Sequence, residues 1–156
     1  MTKIDEILNL VSDYITEQQN AEWIPGQDWV EYSGPVYDAD EYVAAIKNLL
    51  GRWLAFGPEA GRFEAEFPQY LGKKHGSLTN SGSSANLLMV AALKSKNLFN
   101  LPEGSKIITP VVCFATTINP IIQHGFEPVF VDVTLPDLNL DLDAVEKILE
   151  KDTNRD

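Results

Sequence analysis

Residues Leu78–Lys96 read LTNSGSSANLLMVAALKSK, a polar turn containing a glycine that runs into an unbroken apolar stretch and then into lysines. Ser77–Thr79 is short and β-prone, and the residues from about Ser83 to Lys96 have helical character, so the turn Asn80-Ser81-Gly82 joins a strand to a helix. A helix that opens directly behind a strand turns its unsatisfied N–H groups, and the positive end of its dipole, toward the carboxyl edge of the sheet. Such a mouth is a seat for a phosphate. Gly82 lets a ligand approach the backbone closely, and the hydroxyls of Ser81, Ser83 and Ser84 add donors beside the amides. Taken alone, a strand–glycine–serine–helix is more simply a serine-capped helix with nothing bound, so the surrounding chain has to decide.

Downstream, β-prone and helical segments alternate: Lys106–Val111 then a helix to about Gln123, and Pro128–Val133 then a helix over Leu142–Glu150. This βαβ rhythm predicts an α/β fold with a mainly parallel sheet of three strands covered by helices. Upstream, Ile4, Ile7, Leu8, Val11, Tyr14 and Ile15 recur at helical spacing behind a Thr2-x-x-Asp5 start signal. Asn20–Tyr37 is aromatic, Gly- and Pro-containing and without period, hence an ordered loop. Asp38-x-x-Glu41 opens a second helix that is expected to bury Tyr42, Ile46, Leu49 and Leu50 and to end near Gly51. A third begins at GPEAGRFEAEF, with Pro58 suited to a first turn and Pro68 predicting a kink or an early stop. The chain thus divides into an N-terminal helix and aromatic loop, 1–37, and the first part of a large domain, 38–156. Three parallel strands ending on a helix leave an open edge, so the expectation is the front part of a longer protein.

Of the 156 residues, 44% are hydrophobic, enough for a core, while 12 basic against 23 acidic residues give a net charge of −11. No broad basic footprint for nucleic acid or an anionic membrane is available, and an anionic ligand must be held locally. The longest apolar run, Leu87–Leu93, is far shorter than the ~20 residues of a membrane span, and the charged N-terminus lacks a signal-peptide core, so a cytoplasmic location is expected. The single cysteine, Cys113, supplies neither an internal disulfide nor a metal-ligand set. His75 and His124 have no partner spacing for metal or acid–base work, and Asp132 reads as a turn or cap.

After the second strand the chain reads TPVVCFATTINP, which puts Phe114 on the same edge as the anion seat, where an aromatic ring could cover a planar cofactor. An isolated aromatic is by default plain core. In order and spacing, however, GPEAGRFEAEF, TNSGSSANLL, ITPVVCFATTINPII and EPVFVDVTLPDLNLD resemble the N-terminal half of the DegT-type pyridoxal-phosphate enzymes that act on nucleotide-linked keto sugars. Within that family the wording at 80–86 and FATTINPIIQHG look most like the CDP-4-keto-6-deoxyglucose 3-dehydratases of dideoxysugar and O-antigen synthesis. The resemblance covers about residues 20 to 150.

The resemblance implies an aspartate-aminotransferase-like fold (PLP fold type I), present here as an incomplete large domain. It implies that Gly82, Ser83 and Ser84 bind the phosphate of pyridoxal or pyridoxamine phosphate and that Phe114 stacks on its ring; for Thr116 and Thr117 it leaves open a place near the cofactor or a helix-capping role. The family's acidic partner of the ring nitrogen, and the lysine of its aminotransferases or histidine of its 3-dehydratases, come later than residue 156. No catalytic residue is therefore assigned here, and Lys73, Lys74 and Lys106 read as solvated charges. An iron–sulfur cluster of the dehydratase kind would belong to the C-terminal part, because Cys113 alone cannot ligate it. The leading function is C3 dehydration of a nucleotide-linked 4-keto-6-deoxy sugar, with this chain inactive alone and partnered as a homodimer or by a complementing C-terminal chain. A sugar aminotransferase of the same family, or a non-catalytic α/β fragment, are the alternatives.

Overall fold

The computed structural model describes residues 1–19, 22–30 and 33–153. It holds α1 (Lys3–Gln19), α2 (Ala39–Leu50), α3 (Pro58–Tyr70), α4 (Gly82–Leu93), β1 (Lys106–Pro110), α5 (Ala115–Gln123), β2 (Glu127–Val131) and α6 (Leu142–Thr153). Contacts divide the chain into two units that meet in sequence at Gly76 and Ser77.

In the first unit the start signals act as the sequence predicts. The Thr2 amide donates to the Asp5 carboxylate at 2.6 Å and the Asp5 amide to the Thr2 hydroxyl at 3.2 Å, closing the N-terminus of α1. The Thr2 backbone and hydroxyl bonds hold the Asp5 carboxyl below its ordinary pKa, so this lock is present above the carboxylate range and is lost as pH falls through the lowered value. Asp38 forms a complete capping box with Glu41 at the head of α2, and Gly51 closes its end. The α2 residues expected in a core are only partly covered: Ile46 is half-buried, whereas Tyr42, Leu49 and Leu50 are exposed. These three share one face of α2 with Ile46, and among the described residues that face is covered only in part. Parts of the aromatic loop, at 20–21 and 31–32, lie outside the described residues; of the rest, Trp29 is largely exposed.

Pro68 does not stop α3, which continues to Tyr70. Its position in the last turn explains this. The helix ends two residues later, and the Pro68 carbonyl itself closes the end by accepting from the amides of Leu71 at 3.1 Å and Lys73 at 2.7 Å. The ring is buried, and a Cβ on Gly76 would stand 2.6 Å from its Cγ, so only glycine lets the chain pass there.

The second unit is the α/β part. β1 and β2 pair in parallel, Lys106 opposite Glu127 through Pro110 opposite Val131, and α5 crosses between them. The bonds from the Glu127 amide to the Ser105 carbonyl and from Val111 to Val131 fix the parity of the ladder. Residues 107, 109, 127, 129 and 131 turn their polar backbone groups inward, and Pro110 and Pro128 fall on the outward side of their strands. The strand expected at Ser77–Thr79 is not one: these residues lead into α4 without joining the sheet. A strand exists only through a ladder, and β1 and β2 use their inward groups on each other.

Among the described residues Ile121, Phe126 and Val131 make up the buried apolar centre, at 3–4% exposure, and Thr109, opposite Phe130 on the ladder, is buried as well. Gly125, at φ 72°, takes the left-handed conformation that ends α5. The turn closes through the Phe126 amide on the Ile121 carbonyl at 2.9 Å, which folds Phe126 back into the centre and releases the chain into β2. Apolar side chains on α4, on β2 and after β1 remain exposed, among them Met89, Phe130 and Val112.

Candidate functional site

Two bonds tie α4 to α5. The Asn86 side-chain amide donates to the Thr116 carbonyl at 3.3 Å, and the Lys94 ammonium donates to the His124 carbonyl at 3.0 Å. Both span 30 residues, one toward the beginning of each helix and one at its C-cap, so the helices lie side by side in the same direction and open at the same end. By that offset Phe114, the N-cap of α5, stands level with Ser84 in the first turn of α4.

At the mouth of α4 Ser81 is the N-cap, and its Oγ accepts from the Ser84 amide at 3.2 Å while its hydroxyl donates to Ser84 Oγ at 3.2 Å. The predicted donors therefore divide. Ser81 is used within the cap, and the Ser84 amide is satisfied by it. The amides of Gly82 and Ser83 meet no acceptor among the described residues, and the hydroxyls of Ser83 and Ser84 remain available to donate. A Cβ built on Gly82 would meet nothing within 4 Å, so the space beside its Cα is open. Thr116 and Thr117 do not cap α5; Phe114 occupies that position without a side-chain cap bond. The Thr117 amide bonds to the Phe114 carbonyl at 2.9 Å, while the amides before it point out of the helix.

Charge distinguishes these two mouths from the others. The first turns of α1, α2, α3 and α6 all carry acidic residues, Asp5 and Glu6, Asp40 and Glu41, Glu59, and Asp143, which neutralise the positive end of each dipole. Those of α4 and α5 carry none. In a chain of net charge −11, the two uncompensated helix ends are neighbours.

Phe114 does not stand directly on the end of β1, which stops at Pro110; Val111–Cys113 intervene, and the ring is 76% exposed rather than core. Its face is free to cover a flat ligand. Cys113 is half-buried, and among the described residues no group of three or more His, Cys, Asp or Glu side chains is placed to hold a metal ion. His75 is exposed. Asp132 bonds its carboxylate to the Val133 amide at 2.8 Å and its carbonyl to the Asp141 amide at 3.0 Å, and Asp141 caps α6.

The sequence profile of the DegT/DnrJ/EryC1/StrS aminotransferase family matches residues 36–155. The chain belongs to this family. It is 41% identical over 151 residues to a dTDP-4-dehydro-2,6-dideoxy-D-glucose 3-dehydratase of Saccharopolyspora spinosa, covering 96% of this chain and 33% of that protein. It is 38% identical over 145 residues to the lipopolysaccharide biosynthesis protein RfbH of Salmonella typhimurium, covering 91% and 33%. Among solved structures, E. coli GDP-4-keto-6-deoxy-D-mannose-3-dehydratase with bound hydrated PLP is similar at a TM-score of 0.67 and 33% identity, over 74% of this chain and 30% of that one. This DegT-family chain spans about a third of the length of the curated relatives it matches, and its fold is part of the α/β domain of PLP fold type I.

Proposed function

We propose that residues 38–156 are the first part of the cofactor-binding domain of a PLP-dependent enzyme acting on a nucleotide-linked 4-keto-6-deoxy sugar, most simply by removing its C3 hydroxyl. The pair of adjoining, acid-free helix mouths carries this reading. Gly82 and Ser83 amides, with the hydroxyls of Ser83 and Ser84, would hold the cofactor phosphate. Phe114, level with that seat, would cover the ring. When bound, the cofactor supplies an electron sink for bond cleavage next to the sugar carbonyl. This chain's share is to grip the phosphate and orient the ring; the acid–base groups come from elsewhere, as a homodimer or a complementing C-terminal chain. Dehydration is favoured because the relatives named above include sugar 3-dehydratases. A cytoplasmic setting fits the absence, among the described residues, of a helix long and apolar enough to cross a membrane.

The test is titration of the chain with pyridoxamine phosphate, which leaves lysines unmodified, followed by ring fluorescence and by hydrogen exchange. Saturable binding with protection of the Gly82–Ser84 amides is expected, and competition by inorganic phosphate. F114A is expected to weaken binding about five- to tenfold, the worth of one aromatic stack, without loss of fold because the ring is exposed. No saturable binding, or protection confined to other segments, refutes the reading.

A further inference from the structure

Pro120 lies inside α5 and has no N–H. In a regular helix the amide of residue 120 would bond to the carbonyl of Thr116, so this carbonyl loses its intrahelical donor. The Asn86 side-chain amide stands 3.3 Å from it in a part-buried setting. The donor missing from one helix is thus delivered by the next. Asn86 lies one turn beyond Gly82 on the same face of α4, and Thr116 lies two residues beyond Phe114. Both partners of the bond therefore hang directly from the groups that would hold the cofactor.

We infer that Asn86 is a positioning residue: its amide replaces the backbone donor removed by Pro120, and the bond sets the ring-covering Phe114 at a fixed height over the phosphate seat. The inference rests on the cofactor reading above. The residue type follows from the geometry. Leucine matches asparagine in size but cannot donate, and an ionised aspartate would offer only acceptors to a carbonyl. Proline at 120 in turn leaves Thr116 with a carbonyl that bends outward from the helix and can be reached from the side. A bond serving only general packing would affect every ligand of the site, and the fold, alike. One that positions the ring affects only ligands with a ring.

The experiment measures binding of pyridoxamine phosphate and of inorganic phosphate to the full chain and its variants. N86L is expected to lower pyridoxamine phosphate affinity about tenfold while inorganic phosphate affinity changes less than about twofold, since the Gly82 and Ser83 amides are untouched. N86Q, which keeps the donor, is expected to recover most of the loss. In the P120A background, where the helix supplies its own donor, adding N86L is expected to cost less than about twofold; with F114A already present it is expected to cost equally little. Equal losses for both ligands, or the same tenfold loss in the P120A background, overturn the positioning role while leaving the cofactor seat standing. Failure of the unsubstituted chain to bind pyridoxamine phosphate overturns both.

Discussion

Replacing Ser83 by aspartate is expected to reduce pyridoxamine phosphate affinity about 100-fold or more while α4 stays as stable as before or gains slightly. The opposite signs come from one field. A carboxylate in the first turn complements the helix dipole and is worth about 0.3–1 kcal/mol to the helix. The same carboxylate would stand where the cofactor phosphate must, and two like charges about 4 Å apart repel by several kcal/mol near a protein surface. Four of the six helices among the described residues already carry such an acid and bind nothing there on our reading, so S83D makes α4 resemble α2. Binding isotherms and thermal unfolding on the same sample give both signs. Unchanged affinity would place the phosphate somewhere other than this mouth.

Phe126→Ala is expected to be the most damaging single substitution in the second unit, at about 3–5 kcal/mol. Phe126 is 4% exposed and, with Ile121 and Val131, makes up the apolar centre. Its ring lies 5.8 Å from the Lys94 ammonium that also holds the end of α5, so the truncation loosens the α4–α5 pair as well. A loss that large approaches the whole stability of a small domain, so the expected observation is a shallow or absent unfolding transition. Phe130→Ala, at a ring that is 51% exposed on β2, serves as the comparison and is expected to cost less than about 1 kcal/mol. Similar urea midpoints for the two variants would mean that the centre of this unit lies elsewhere.

The helix starts were legible because each is written within four residues: Thr2 with Asp5, Asp38 with Glu41, and Ser81 before an apolar run. β1 and β2 were legible to within two residues for the same reason, their apolar runs being short and bounded. Ser77–Thr79 was not, since a strand depends on a neighbour distant in sequence. The continuation of α3 through Pro68 depended on where the helix ends, which a proline alone does not say. At the site, the opening of a helix behind Ser81 was readable from the serine- and glycine-containing turn, whereas the bond between the Ser81 and Ser84 hydroxyls is a matter of side-chain geometry. The link between Asn86 and Thr116 escaped the sequence reading although half of its signal was present: a proline four residues after Thr116 announces an orphaned carbonyl. Which side chain would reach it was set by the packing of α4 on α5.

Pro110 and Pro128, facing outward from opposite rims of the two-stranded sheet, have a bearing on behaviour in concentrated solution. A stranger's backbone attempting to extend the ladder along either rim finds one rung without a hydrogen to share, and continuous templated stacking into fibrils is interrupted there. Any authentic neighbour must be shaped to step over that missing rung, which makes the two imino acids a filter on what can be added to this sheet.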